Sequence, residues 1–121
     1  MEWNIDSSHT LYAVFLTLNE PQEIKIGALG TFNFPKGHYV YIGSAKKNII
    51  HRTKRHFDVD KKKRWHLDYF RPYTIVTKIQ TYQHEGGECA LSADFAKKGQ
   101  YFIKHFGASD CKCKGHLILL D

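Results

Sequence analysis

The chain has 121 residues, of which 25% are charged and 42% hydrophobic, as expected for one globular domain spanning residues 1–121. It has no run of about 20 apolar residues, which excludes a transmembrane helix, and its three cysteines are an odd number for a disulfide framework. The first residues lack the basic and apolar regions of a secretory signal. We therefore expect a cytoplasmic protein with no membrane partner.

The positive charge is concentrated in one segment. The formal net charge is +6, and residues 46–71 contain ten lysines and arginines but only three acidic residues, so this segment carries +7 and the remainder −1. A basic patch with interleaved aromatic residues is typical of proteins that bind nucleic acid, although solvated helices can have the same composition. The residues predicted to contact nucleic acid are Lys46, Lys47, Arg55, Lys61, Lys62, Lys63, Arg64 and Trp65.

The first half of the chain predicts strands. The near-continuous apolar run at residues 11–18 is typical of a strand covered on both faces. Residues 23–27 alternate like an edge strand, and the segment 20–36 is expected to form an extra hairpin beside the main sheet. Residues 38–43 predict a further strand, in which the period of two places Tyr39 and Tyr41 on one face and Val40 and Ile42 on the other.

The second half mixes helices and strands. Ser44 is predicted to cap a helix over residues 47–57, with an apolar stripe formed by Ile49, Ile50, Thr53 and Phe57. A short helix over 64–70, a strand over 74–82, a helix over 88–97 ended by Gly99, and a strand over 117–120 follow. The order predicts a small α/β domain with a central antiparallel sheet flanked by helices.

Five polar residues are candidates for chemistry. Tyr12 and Tyr41 lie in predicted strands, where a tyrosine is also an ordinary core residue. Arg52 and His56 fall on one border of the helical stripe, where a guanidinium can bind phosphate and an imidazole can move a proton. Glu88 lies on the apolar side of its predicted helix, and a carboxylate facing the core needs a partner such as a divalent cation.

Cysteine and histidine residues near the end of the chain form a second candidate site. Cys111, Cys113 and His116 are closely spaced, and Cys89 lies on the preceding predicted helix. Three thiols and one imidazole would complete a tetrahedral zinc site. Buried reduced thiols are the commoner explanation in a cytosolic chain.

The ordered candidates resemble the GIY-YIG nuclease superfamily. The motif has two halves, GIY and YIG. Tyr41 begins the triplet Tyr-Ile-Gly, which is the second half, and Tyr12 is the tyrosine retained from the first half. Arg52, His56 and Glu88 follow in the expected order. A closer resemblance, over nearly the whole chain, is to the Uri-type (DUF-one-two-three) endonuclease-like family. Its matching blocks are GHYVYIGSA at residues 37–45, RTKRH at 52–56, WHLDY at 65–69, ECA at 88–90, and FGASDCKCKGHL at 106–117.

The resemblance implies a metal-dependent endonuclease that hydrolyses phosphodiester bonds in DNA rather than RNA, with a DNA-repair protein as a partner and without a small-molecule cofactor. Glu88 would bind a single Mg²⁺ or Mn²⁺, Tyr12 with Tyr41 would orient or deprotonate the water, Arg52 would stabilise the phosphorane, and His56 would assist proton transfer. A tyrosine base at neutral pH requires its pKa to be lowered from about 10. The alternative is a module of the same fold that binds nucleic acid with little or no catalysis.

The first half-motif lacks its glycine, and 28 residues separate Tyr12 from Tyr41, which places the extra hairpin between the half-motifs.

His66 is a further candidate catalytic residue at the rim of the cleft, with Trp65 available for stacking on a base. Packing of this histidine among aromatic residues is the alternative.

Overall fold

A computed structural model describes residues 2–45, 47–56, 66–103, 106 and 115–120. The elements in chain order are β1 (Glu2–Asn4), β2 (Leu11–Leu18), β3 (Gln22–Ile26), β4 (Gly30–Phe34), β5 (Gly37–Ser44), α1 (Ile49–Arg55), α2 (His66–Phe70), β6 (Ile75–Tyr82), α3 (Gly87–Ala96), β7 (Gln100–Tyr101) and β8 (Leu117–Leu119). Short 3₁₀ helices cover Gly27–Leu29 and Arg71–Tyr73.

The described strands form a six-stranded mixed sheet in the order β1-β6-β2-β5-β8-β7. Every pairing is antiparallel except that of β1 with β6, which is parallel. The predicted α/β class with a central antiparallel sheet is therefore confirmed. The edge strands β1 and β7 were not expected, because segments of two or three residues are too short to show a period of two.

The predicted extra hairpin is also confirmed. Strands β3 and β4 pair with each other as a separate two-stranded sheet, from Gln22 opposite Phe34 to Ile26 opposite Gly30. Its apolar side is buried against α2, where the ring of Phe34 stacks on that of Phe70 with centroids 4.6 Å apart. The hairpin thus contributes to the core.

The two faces of the main sheet have different coverings. Tyr39 and Tyr41 of β5 belong to a core that includes residues of α1 and α2, whereas Val40 and Ile42 belong to a core that includes Leu91 of α3. The assignment of β5 side chains to the two faces is confirmed. Helices α1 and α2 therefore lie on one side of the sheet, and α3 lies on the other.

The predicted start of the first helix is wrong. Ser44 is still in β5, paired with Leu11, so its backbone is extended and it cannot cap a helix. The helix begins at Ile49 after Asn48, whose left-handed backbone (φ 56°) is a conformation that asparagine tolerates. Ile49 is buried, as expected, but Ile50 is 43% exposed and is not part of the buried stripe.

The other predicted elements agree closely with the structure. Helix α2 begins at His66, and residues 57–65, including Phe57, Arg64 and Trp65, lie outside the described residues. Helix α3 extends to Ala96, three residues before Gly99. Across the described ranges we find no helix with the length and apolar character needed to cross a membrane.

Candidate active site

The buried centre of the candidate site is a hydrogen bond between two predicted catalytic residues. Tyr12 Oη of β2 lies 2.9 Å from His56 Nε2, just after the last residue of α1. Tyr12 is only 3% exposed and His56 is fully buried. Residues 44 positions apart in the sequence thus share one internal bond that joins the helix to the sheet.

Tyr41 of β5 lies beside this pair. Its ring meets that of His56 edge to face, with centroids 6.1 Å apart, and it is also buried. We call Tyr12, Tyr41 and His56 the Tyr–His cluster. The structure thus brings three of the predicted site residues together on the sheet face that α1 covers.

Gly43 provides the space that the cluster needs. It pairs directly with Tyr12 across β2 and β5. A Cβ atom at position 43 would lie 2.8 Å from Cε1 of the Tyr12 ring and closer still to Cζ and Oη. The glycine of the Tyr-Ile-Gly triplet therefore allows the Tyr12 ring to lie across the neighbouring strand.

Arg52 connects the cluster to the surface. It is exposed on α1, and its Nη1 donates a hydrogen bond to the carbonyl oxygen of Ser44 at 2.8 Å. Its positive charge favours the ionised forms of Tyr12 and Tyr41 and so acts to lower their pKa values. The guanidinium is therefore electrostatically coupled to both buried hydroxyls.

Burial nevertheless has the larger effect on the pKa values of Tyr12 and Tyr41. Loss of solvation raises the pKa of Tyr12 well above 10 and also raises the pKa of Tyr41. The negative charges of Glu88 and Asp68 act in the same direction, and Arg52 does not offset them. Both phenols are therefore neutral at neutral pH, whereas a tyrosine base needs a lowered pKa.

Glu88 lies in the first turn of α3, whose buried residues Leu91 and Ser92 face the opposite side of the sheet from α1. Its side chain is 32% exposed rather than facing the core as predicted, and Oε2 lies 3.8 Å from Nδ1 of His116. The backbone of His116 accepts a hydrogen bond from Ile42 N at 2.9 Å, which places Glu88 near the end of β5. Because its charge acts on Tyr12 and Tyr41, Glu88 is electrostatically coupled to the cluster.

Asp68 of α2 is not among the predicted site residues, yet it is central to the packing around the site. Its fully buried carboxylate binds both Nη atoms of Arg55, at 2.9 and 3.0 Å. Arg55 forms this internal ion pair because a buried carboxylate requires a cationic partner, and its predicted contact with nucleic acid stays a prediction. The available signal was an aspartate between Leu67 and Tyr69 in a short helix of mostly apolar and aromatic residues.

Arg71 fixes the backbone at the same point. Its Nε donates to the carbonyl oxygen of His56 at 2.6 Å, and its Nη1 donates to that of Thr74 at 2.9 Å. Together with the Arg55–Asp68 pair, this bond holds the end of α1 against α2 and the residues that precede β6. The position of His56 is thus determined by two arginines of the basic segment.

The other predicted residues fall into two groups. The half-buried ring of His66 contacts Phe106, which in turn contacts Tyr41, an arrangement that is compatible with packing, and its catalytic role stays a prediction. Lys47 is exposed before α1. The remaining residues lie outside the described ranges, and they are Lys46, Lys61, Lys62, Lys63, Arg64, Trp65, Cys111 and Cys113.

Only two of the four predicted zinc ligands, Cys89 and His116, are among the described residues. Cys89 Sγ lies 3.7 Å from His116 Nε2, so two of the four predicted ligands are adjacent. Across the part of the chain that the structure describes, no group of three His, Cys, Asp or Glu side chains is arranged to hold a metal ion.

Comparison with known proteins places the chain in a family. Residues 11–121 match the model of a family described as "Domain of unknown function DUF123". The chain therefore belongs to that family. The match includes all elements from β2 onward. No curated protein and no solved structure matches the chain.

Proposed function

We propose that this protein is a metal-dependent endonuclease of the GIY-YIG type that hydrolyses phosphodiester bonds in DNA. The observation that carries the proposal is the buried Tyr12–His56 hydrogen bond, held beside Tyr41 and coupled to the charges of Arg52 and Glu88. Phosphodiester hydrolysis needs a positioned water, a proton acceptor and positive charge near the phosphate. The electrostatic coupling of Arg52 and Glu88 to Tyr12 and Tyr41 supports the assignment of these functions to one shared site.

The neutral state of Tyr12 determines its role. A phenol whose pKa is raised by burial does not accept a proton from water at neutral pH, but it can donate or relay one. His56 Nε2, at 2.9 Å, is the adjacent atom that can exchange a proton with the Tyr12 hydroxyl. We therefore assign the proton relay to the pair, and Tyr12 orients the water.

Arg52 and Glu88 are the two more exposed residues of the proposed site, and their roles are complementary. The exposed guanidinium of Arg52 can bind a phosphate oxygen and stabilise the charge that develops on it. Glu88 suits Mg²⁺ or Mn²⁺, because its carboxylate is partly exposed, and such ions take one or two carboxylates and keep several waters. The bound ion would supply Lewis-acid stabilisation to the non-bridging phosphate oxygens.

The proposed substrate follows from charge. Lys47 and Lys54 are exposed beside or on the helix that carries Arg52, within the segment 46–71 whose charge is +7. DNA bound by this segment should dissociate as salt increases, because neutralised phosphates release counterions. Replacement of Lys61, Lys62 and Lys63 by Gln should reduce that salt dependence, and an unchanged slope would contradict the assignment.

The test is a cleavage screen over single-stranded, duplex, branched and damaged DNA and matched RNA, with Mg²⁺ and with Mn²⁺. Arg52→Gln and Glu88→Gln should bind the best substrate but cleave it about 10²–10³-fold more slowly. Lys97→Gln is the matched surface control, because this exposed lysine lies at the far end of α3. Equal cleavage by all three variants would reject the proposed site.

A binding module with little or no catalysis is the second candidate. The burial of Tyr12, Tyr41 and His56 favours it, since a phosphate reaches a hydroxyl more easily when that hydroxyl is exposed. Under this alternative the wild-type protein binds nucleic acid with the expected salt dependence but cleaves no member of the screen with either metal. Binding and cleavage measured on the same samples therefore distinguish the two functions.

A further inference from the structure

We propose that a groove between α1 and the loop at residues 5–10 binds an unpaired nucleotide of the DNA strand. The groove has a volume of about 470 Å³, and it is lined by Ser7, Asn48, Ile49, Ile50, His51 and Lys54. Sites for small molecules typically have volumes of about 300–1,000 Å³. This inference rests on the proposed binding of DNA, but it does not require that the protein cleaves DNA.

The loop that forms one wall of the groove is fixed at both ends. Asp6 N donates a hydrogen bond to Thr81 Oγ1 of β6 at 2.8 Å, and Ala45 N donates one to Thr10 O at 2.8 Å. Within the loop, the Asp6 carboxylate accepts hydrogen bonds from the backbone and the hydroxyl of Ser8, at 2.9 and 2.6 Å. A wall held in this way is preformed, so a bound nucleotide does not have to order it.

Ile50 is the apolar part of the groove. Of the large apolar side chains that the structure describes, only Ile50, Tyr73 and Ile75 are exposed, and Ile50 is the one that lines this groove. Contact with a base would remove its apolar surface from water. Because the face of a base is accessible only when the base is unstacked, this contact favours an unpaired nucleotide over a regular duplex.

Charge complementarity supports the same occupant. Residues 47–56 contain two lysines and two arginines and no acidic residue. The exposed side chain of Lys54 lies one helical turn after Ile50 and therefore on the same side of α1, with the exposed His51 beside them. A cation next to an apolar side chain matches the phosphate and the base of one nucleotide.

The helix relates the groove to the proposed phosphate ligand. Ile50 and Arg52 are two residues apart, so their side chains project from α1 about 200° apart around its axis. A helix with its side chains is about 10–12 Å wide, and one DNA strand advances about 3.4 Å per nucleotide. A strand that binds Arg52 at the cleaved phosphate therefore reaches the groove within about three nucleotides.

The test is the affinity of the full chain for a fluorescent mixed-sequence oligonucleotide, single-stranded or fully paired, measured by anisotropy without divalent metal so that cleavage does not interfere. Ile50→Ser should weaken binding of the single strand about fivefold and binding of the duplex less than twofold. Ile75→Ser is the matched control, because Ile75 is also exposed but lies on β6, outside the groove, and it should bind both forms normally.

Lys54 is tested through salt. Lys54→Gln should lower the slope of log affinity against log salt concentration by about one, because one phosphate contact is lost. Lys97→Gln, at an exposed lysine beyond the end of α3, should leave the slope unchanged. An unchanged slope in Lys54→Gln would contradict its contact with phosphate.

Nuclear magnetic resonance of the wild type gives a readout that needs no variant. The single-stranded oligonucleotide should shift the methyl resonances of Ile50 but not those of Ile75. Unshifted Ile50 resonances, wild-type affinity of Ile50→Ser, or an equal loss on single strand and duplex would overturn the proposal, as would a wild-type protein that binds no DNA. Selective loss of single-strand binding in a protein that cleaves nothing would support the groove and reject the nuclease.

Discussion

Gly43→Ala tests whether the Tyr12 ring occupies the space that any other residue at position 43 would need. The added methyl group would lie 2.8 Å from Tyr12 Cε1 and closer to the end of the ring. The ring is buried, and its hydroxyl is bonded to His56. It therefore cannot move away without losing that bond or disturbing the core.

The expected effect of Gly43→Ala on stability is the sum of three contributions to the free energy of unfolding. Overpacking a core costs about 1–3 kcal/mol, and a disrupted buried hydrogen bond costs about 1 kcal/mol. Alanine is more favourable than glycine within a strand by about 0.5–1 kcal/mol, which acts in the opposite direction. We therefore expect Gly43→Ala to lower the free energy of unfolding by about 2 kcal/mol.

Urea unfolding of a double-mutant cycle separates the steric term from the others. In a Tyr12→Val background the ring is gone, so Gly43→Ala should be neutral or stabilising by about 0.5 kcal/mol. A coupling energy near 2 kcal/mol would result. A Gly43→Ala variant as stable as the wild type, or an equal loss of stability in both backgrounds, would refute the steric conflict between position 43 and the Tyr12 ring.

Three other variants test the surroundings of the site. Arg55→Met leaves the Asp68 carboxylate buried without its partner and should lower the free energy of unfolding by about 3 kcal/mol. This loss should exceed that of Asp68→Asn, and equal losses of the two variants in urea unfolding would contradict the ion pair. Because burial raises the pKa of Tyr41, the folded state keeps a proton that the unfolded state releases above pH 10. The contribution of this tyrosine to the free energy of unfolding is therefore constant below pH 10 and decreases above it. Tyr41→Phe should make the fall in thermal midpoint less steep above pH 10, and an unchanged slope would argue against the shift. His66→Ala should lower the thermal midpoint while cleavage changes little if its contact with Phe106 is a packing contact; the reverse result would indicate the predicted catalytic role.

The parts of the fold that were predictable are those that local pattern determines. The strand at residues 11–18, the faces of β5 and the hairpin between the half-motifs follow from apolar runs, alternation and turn residues. Strand β1 could not be predicted, because three residues become a strand only through parallel pairing with β6. The start of α1 was misplaced because the pairing of Ser44 with Leu11 keeps that residue extended.

The candidate site shows the same division between local and tertiary information. The order of Tyr12, Tyr41, Arg52, His56 and Glu88 along the chain indicated a shared site, and the structure brings the first, second and fourth of these together around one hydrogen bond. The burial that raises the tyrosine pKa values depends on how α1 covers the sheet, which no spacing reveals.

Internal pairing was equally hidden in the sequence. The segment 46–71 was treated as one basic surface, but charge composition does not show which cations face inward. Arg55 binds the buried Asp68, and Arg71 binds backbone carbonyl groups beside His56. Both arginines therefore contribute to the structure of the site.

The most direct test of the central claim is the single-turnover cleavage rate of Tyr12→Phe on the best DNA substrate of the screen. This variant keeps the ring that lies across Gly43 but removes the hydroxyl that bonds to His56. Tyr82→Phe, the same change at a half-buried tyrosine packed against α3 on the other side of the sheet, is the matched control. We expect Tyr12→Phe to bind DNA normally but to cleave about 10²–10³-fold more slowly, while Tyr82→Phe cleaves at the wild-type rate. Wild-type cleavage by Tyr12→Phe, or an equal loss in both variants, would contradict the account.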